Sequence, residues 1–245
     1  MIFETANFSE CILCGSDKNL TREHKVKASQ IRNTFKQDEM LVASLASAQR
    51  PKIAQGPQSK NLKFNHSICE NCNSNKTQPA DQEFDRFHEK CSAALETNTN
   101  PSEVFKFPPY NDNYNYLNVF RFFAKLLCCQ IADNGGPRVR DLSSFSIGCS
   151  DNNIISLYIS KNPIIERYEK ITGHRIYASH GGLMVSTNLE TGRIQKLISQ
   201  LAIESIEYSF WIELFPAAQI ELEHKFRAFC DKAREAVRVA GDRQG

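Results

Sequence analysis

The sequence predicts an α+β protein in two parts, a small metal-centred unit followed by a domain of helices and a small antiparallel sheet. Three observations carry that expectation. Two Cys-x-x-Cys pairs, Cys11-Ile-Leu-Cys14 and Cys69-Glu-Asn-Cys72, supply four thiolates, a complete tetrahedral shell for a closed structural Zn²⁺. The stretch Thr97–Tyr114 is rich in Asn, Pro and Thr, as linkers are. Beyond it, a strongly helical pattern gives way to strand-like runs and then to a closing helix. The expected boundaries are 1–98 for the first unit with a long basic insertion, 99–115 for the linker, and 116–245 for a regulatory or docking α+β domain.

In order along the chain, the spacing predicts short helices over 28–35 and 41–48, and a flexible connection over 51–59 containing Gly56 and Pro57. Residues 63–68 alternate enough for a strand feeding the second cysteine pair. Phe84, Phe87, Cys91 and Ala94 place an amphipathic helix over 81–95, with Pro79 where a first turn tolerates it. In the second half, Leu117, Phe120, Phe123, Ala124, Leu127 and Ile131 mark a helix over 116–132 that stops at Asn134-Gly135-Gly136-Pro137. Strands are expected over 153–160, 175–187 and 196–215, the last divisible in two, and a helix over 217–239. Asn188–Gly192 reads as a hairpin turn and Gly181-Gly182 as a bulge or turn; no catalytic motif stands out in this half.

Composition narrows the class. Hydrophobic content of 41% and charged content of 24% are ordinary for a globular protein. No run approaches the ~18 apolar residues of a membrane span, and the N-terminus has no basic-then-apolar secretory pattern. Nine cysteines, an odd number with four in metal-type pairs, point to a reducing cytoplasm rather than a disulfide framework. The other five (Cys91, Cys128, Cys129, Cys149, Cys230) read as plain buried thiols. Net charge is +2, but from Lys18 to Lys63 ten basic residues face three acids. That local excess suits a polyphosphate ligand, with Arg22, Lys25, Lys27 and Lys63 as candidate backbone contacts.

A closed shell of four cysteines leaves no open coordination position, so chemistry is sought around it. Glu23-His24 lies between the pairs, and Asn73 directly follows the fourth cysteine. Phosphodiester hydrolysis needs an activated water, a metal for the developing charge, and groups that hold the phosphate. An imidazole suits the base, while a carboxylate and an amide oxygen suit Mg²⁺ or Mn²⁺. As neighbours in an extended strand, Glu23 and His24 would face opposite ways.

The arrangement CILCG…LTREH…NHSICENCNSNK resembles the zinc-stabilised HNH (ββα-metal) nucleases, including the endonuclease VII type, over roughly residues 8–96. The resemblance implies Cys11, Cys14, Cys69 and Cys72 on zinc, Glu23 and Asn73 on a catalytic divalent ion, His24 as general base, and Lys76 as a basic residue one turn into the helix. Glu23 stands where the family usually has Asp, and the stretch from His24 to Cys69 exceeds the family's compact unit, so residues 36–60 would loop out. Asn61 and Asn65 are both candidates for the family's middle asparagine; Asn65, closer to its position, would orient His24. His66 either lines the site or simply sits on the strand. By the same resemblance the substrate is DNA rather than RNA, cut to 5′-phosphate and 3′-hydroxyl ends; a single site nicks one strand, and a double-strand break would need dimerisation or two events. An effector role in an anti-phage system beside a partner ATPase is implied at the level of fold analogy. The competing reading is a non-catalytic zinc module that binds nucleic acid or protein.

Overall fold

Two strands that are far apart in sequence frame the first half. β2 (Leu20–His24) and β5 (Lys63–Cys69) pair antiparallel, Leu20 opposite Cys69 and Arg22 opposite Ser67, with an irregularity before the His24–Lys63 pair. The computed structural model describes residues 1–35, 40–42, 52–111, 115–173 and 178–242. It is 45% helical and 24% strand, an α+β protein with small antiparallel sheets.

Before the hairpin lies β1 (Phe3–Glu4); between its strands lie α1 (Ala28–Phe35), β3 (Met40–Val42) and β4 (Lys52–Ala54). The helix expected over 41–48 is corrected at its start, because residues 40–42 form a strand paired with 52–54. A short apolar run such as Leu41-Val42 carries no period of its own, and pairing with a partner strand decides it. Residues 43–48 of that expectation, and most of the basic insertion, lie outside the described residues.

After β5 the chain takes one wide helical turn, Asn71–Lys76, and enters α2 (Gln78–Glu96) with proline in its first turn and Asp81 near the positive end of the helix dipole. Phe84, Phe87 and Cys91 are buried along one face. Asn98 (φ 56°) ends the helix in the left-handed region, its amide donating to the Leu95 carbonyl. The segment expected as a linker carries a 3₁₀ turn, Pro101–Lys106, laid along α2. Phe105 meets Phe87 at 4.9 Å between ring centroids, and the Tyr110 hydroxyl donates to Glu83 Oε1 at 2.8 Å. Residues 112–114 lie outside the described set.

The second half opens with α3 (Asn115–Asp133), followed by β6 (Arg138–Val139), α4 (Arg140–Ser146), β7 (Ser156–Lys161) and α5 (Pro163–Thr172). Then come β8 (Ala178–His180), β9 (Met184–Thr187), β10 (Ile194–Ile203) and β11 (Ile206–Glu213). The run expected as one strand over 175–187 is thus two, parted around Gly181-Gly182, and residues 174–177 are outside the described set. The Asn188–Gly192 turn joins β9 to β10, with the Asn188 side chain accepting from the Glu190 and Thr191 amides. The sheet runs β7-β11-β10-β8, with β9 also on β10. β11 alternates strictly, burying Ile206, Tyr208, Phe210 and Ile212. The single closing helix is corrected to α6 (Pro216–Lys225) and α7 (Arg227–Asp242), broken at Phe226 (φ −128°, ψ 47°). Neither Gly nor Pro marks the break; the Phe226 side chain packs against the core instead. Of the five cysteines expected as buried thiols, Cys149 is exposed and the others are buried.

α3 lies between the two halves. Phe122 stacks on Phe84 of α2 at 3.9 Å, while Phe123 meets Tyr208 and Phe210 of β11 at 5.4 and 5.0 Å. β1 pairs with β6, and Glu4 binds both Arg138 and Arg140. One hydrophobic core therefore runs from Phe3 to Ala233.

Candidate functional site

The two cysteine pairs meet in space. Cys11, Cys14, Cys69 and Cys72 have their sulfurs within 4.8 Å of one another, so they can hold a structural metal such as zinc. Tetrahedral bonds of about 2.3 Å put thiolates roughly 3.8 Å apart. Cys14 Sγ lies 3.6 Å from Cys69 Sγ, close to that spacing and far too long for a disulfide. The backbone shapes the cradle: the Gly15 amide returns to the Cys11 carbonyl at 2.7 Å, and the Cys72 amide donates to Cys69 Sγ at 3.4 Å. Gly15 adopts φ 78°, a left-handed conformation that favours glycine, and a Cβ there would lie 2.5 Å from Arg138 Nη1. The crowded sulfurs divide their protons unequally. A hydrogen bond from Cys72 lowers the Cys11 thiol to about 4, and the same contact raises that of Cys72. A cationic metal relieves that competition by accepting all four thiolates.

Glu23 and His24 leave β2 toward different surroundings. His24 is half-buried, its Nε2 2.9 Å from the Pro57 carbonyl. A carbonyl only accepts, so Nε2 carries the proton and Nδ1 keeps its lone pair. Burial lowers the His24 pKa, the Lys63 charge adds to this, and the Pro57 carbonyl opposes it. The imidazole is accordingly neutral near pH 7, the form a general base requires.

Glu23 is buried at 6% exposure, and its Oε1 stands 3.1 Å from Nζ of Lys125 on α3. The same ammonium is 2.6 Å from Oδ1 of Asp81 on α2, and Lys125 itself is fully buried. Burial raises the Glu23 carboxyl above the usual carboxylate range, opposed by Lys125 and reinforced by Asp81. Burial alone would lower the Lys125 pKa, but Asp81 and Glu23 outweigh it and keep the ammonium charged.

Asn73 sits in the wide turn after Cys72, its Nδ2 donating to Thr21 Oγ1 at 3.2 Å. Thr21 in turn donates to the Ile68 carbonyl. Asn73 thus meets the hairpin two residues before Glu23, with its amide oxygen unspent among the described residues. Asn65 does not meet His24 here: its backbone amide and Nδ2 both donate to Asp133 at the end of α3. Pro57 makes the contact that orients the imidazole. His66 is buried, stacked under Phe8 at 3.9 Å, with Nδ1 3.5 Å from Asp133 Oδ1 and neither ring nitrogen hydrogen-bonded among the described residues. Burial pushes Asp133 up, but His66 and the Asn65 and His66 amides together bring it below the usual range.

Among the candidate substrate contacts, Arg22 and Lys76 are exposed and Lys25 is half-buried. Lys63 donates to Gln58 Oε1 at 3.0 Å, and Lys27 is engaged with the Asp81 carbonyl and the Asp85 carboxylate. A hollow of about 460 Å³ flanks the cysteine cluster, lined by Ser16, Lys18, Asn71 and Asn75 among others. Another of about 330 Å³ lies by Lys161 and Glu166; neither includes Glu23 or His24.

Asp81, Lys125, Thr21, Pro57 and Asp133 were not legible as site residues. Lys125 alone left a trace, as the one charge inside the apolar run Phe122–Cys129. Among the described residues, no helix is long and apolar enough to cross a membrane. Comparison of the chain with protein-family models, curated proteins and solved structures finds no match.

Proposed function

We propose that the chain is a metal-dependent endonuclease of the HNH type that hydrolyses DNA phosphodiester bonds. The observation that carries this reading is the pairing of His24 with Pro57 at the end of a hairpin anchored by four clustered cysteines. It supplies a neutral imidazole whose Nδ1 can take a proton. Glu23 and Asn73 would hold Mg²⁺ or Mn²⁺, since a carboxylate and an amide oxygen are the hard donors such an ion takes. When bound, such an ion supplies charge neutralisation at the phosphate. His24 accepts the proton of the attacking water, and Pro57 holds its ring. Arg22, Lys25 and Lys76 contact the phosphodiester backbone, which carries little sequence information. In this reading Zn²⁺ occupies the four cysteines as scaffold, and the second half regulates or docks the nuclease.

The burial of Glu23 against Lys125 favours a second reading, a zinc-stabilised module that binds nucleic acid or protein without cutting. Nicking of supercoiled plasmid by the zinc-loaded chain in Mg²⁺ or Mn²⁺, compared with His24→Ala, separates the two. Metal-dependent nicking that the variant loses supports the nuclease. Equal cutting by both removes His24 from the chemistry, and DNA retention without cutting by either favours the binding module. Omission of the divalent ion is a cleaner control than EDTA, which strips zinc as well.

A further inference from the structure

We infer that Cys14 is an oxidant-sensitive position of the cysteine cluster, at which a peroxide converts Cys14 and Cys69 to a disulfide and releases the metal. The inference rests on the reading of the cluster as a zinc site. Its four sulfurs differ in access. Cys11 and Cys72 are fully buried and Cys69 is 4% exposed, whereas Cys14 is exposed. Cys14 and Cys69 both border the hollow of about 460 Å³, beside Ser16, Asn19, Asn71 and Ser74. A cysteine that ligates zinc is a thiolate, and oxidation follows thiolate character and exposure together. Cys14 is the member of the cluster that combines the two. Cys149 is also exposed but stands outside the cluster.

Cys14 Sγ is 3.6 Å from Cys69 Sγ, so an approach of about 1.5 Å brings the two to bonding distance. The Cys14 thiolate attacks hydrogen peroxide: an S–O bond forms, the O–O bond breaks and hydroxide leaves. Cys14 is oxidised by two electrons to the sulfenic acid, and the peroxide is reduced. The Cys69 thiolate then attacks that sulfur, the S–S bond forms, the S–O bond breaks and a second hydroxide leaves. Two protons from solvent turn both hydroxides into water. Cys11 and Cys72 remain, half of the shell that a structural zinc takes. The Cys72 carbonyl accepts the Thr77 amide at the start of α2, and the Ile12 amide donates to the Ser67 carbonyl of β5. Loss of the metal therefore loosens the cradle against both the hairpin and that helix. Disulfides in a reducing compartment are usually transient and sensing or catalytic, which suits a reversible bond here.

Zinc release from the full-length, zinc-loaded chain under hydrogen peroxide, followed with a chromophoric chelator, tests this without any reference to nicking. Cys149→Ser serves as the background, so that the other exposed thiol does not consume oxidant. Two thiols are expected to disappear for each zinc released, peptide mapping should show Cys14–Cys69 as the first disulfide, and a thiol reductant with added zinc should reverse both. Cys14→His keeps a Cys₃His shell, also a structural zinc set, and is expected to slow release about tenfold or more. Release from a zinc-loaded Cys14→His at the native rate would overturn the inference, as would a first disulfide that omits Cys14. Should Cys14→His fail to hold zinc, a sulfenic-acid trap (dimedone) on the background chain decides in its place. A first adduct at Cys14 supports the inference, and a first adduct at Cys11, Cys69 or Cys72 overturns it. A chain that holds no zinc on the four cysteines would bring down the zinc reading and this inference together. If zinc is bound but withstands peroxide, only the role of Cys14 falls.

Discussion

His24 donates its Nε2 proton to the Pro57 carbonyl across 2.9 Å, which settles the tautomer of the imidazole and leaves Nδ1 as its basic atom. ¹⁵N chemical shifts of the histidine side chains are expected to show His24 protonated at Nε2 and neutral at pH 7. Because burial lowers its pKa from 6.5, the basic form persists as pH falls through 6.5 and is lost only at more acid pH. Nicking should therefore hold through that range, and His24→Ala should reduce it by roughly 10²–10⁴-fold. A rate that falls steeply from pH 7 to 6 would contradict this assignment.

His88 makes a separate prediction, about stability. It is buried on α2, with Nδ1 2.8 Å from the Tyr208 hydroxyl, and burial lowers its pKa from 6.5 to about 4. The unfolded chain then binds a proton that the folded chain does not, so stability is full above pH 6.5 and declines as pH falls toward 4. The loss from this residue approaches roughly 3 kcal/mol once pH is below both values. Urea melts between pH 7 and 4 should show the decline, shallower in His88→Gln. A slope unaltered by the substitution would assign the acid loss to other groups.

How far the sequence carried differs between scaffold and site. Cys11, Cys14, Cys69 and Cys72 were legible because metal-ligand spacing is local within each pair, and the structure brings the pairs together. Helices α2 and α3 were legible because their apolar period runs for many turns. The strand at 40–42 was missed since its identity depends on pairing with residues 52–54. The surroundings of Glu23 were missed for the same kind of reason. Asp81 looks like an ordinary first-turn acid, and Lys125 lies on a helix a hundred residues later, so only tertiary packing joins them. Asn65 sits at the family-like position, yet Asp133 claims it, a competition no local pattern records.

Zinc should prove structural. Cys72 is fully buried and its carbonyl accepts the Thr77 amide at the entrance to α2, so the cluster and the start of that helix are one unit. Cys72→Ser is expected to abolish stoichiometric zinc and to lower Tm by on the order of 10 °C or more, since metal binding here is folding free energy. Emission spectrometry on purified protein, beside a thermal melt, checks both. Full zinc occupancy in the variant would show that the metal is held elsewhere.

The Glu23–Lys125 pair should couple strongly in stability whatever the chain does to DNA. Removing the partner of a buried charge typically costs about 3–5 kcal/mol when nothing replaces it. Glu23→Gln leaves Lys125 its Asp81 contact at 2.6 Å, whereas Lys125→Met leaves two carboxylates facing each other in the core. Lys125→Met is therefore expected to be the worse single change. The double variant should cost less than the two singles summed, because the second substitution removes a charge that the first had stranded. A double-mutant cycle by urea denaturation, run without divalent ions, measures this. Coupling near zero would mean that Glu23 and Lys125 do not share the buried contact in solution. The hairpin would then be held to the second half by Asp133, through the Asn65 and His66 amides, with no contribution from Lys125.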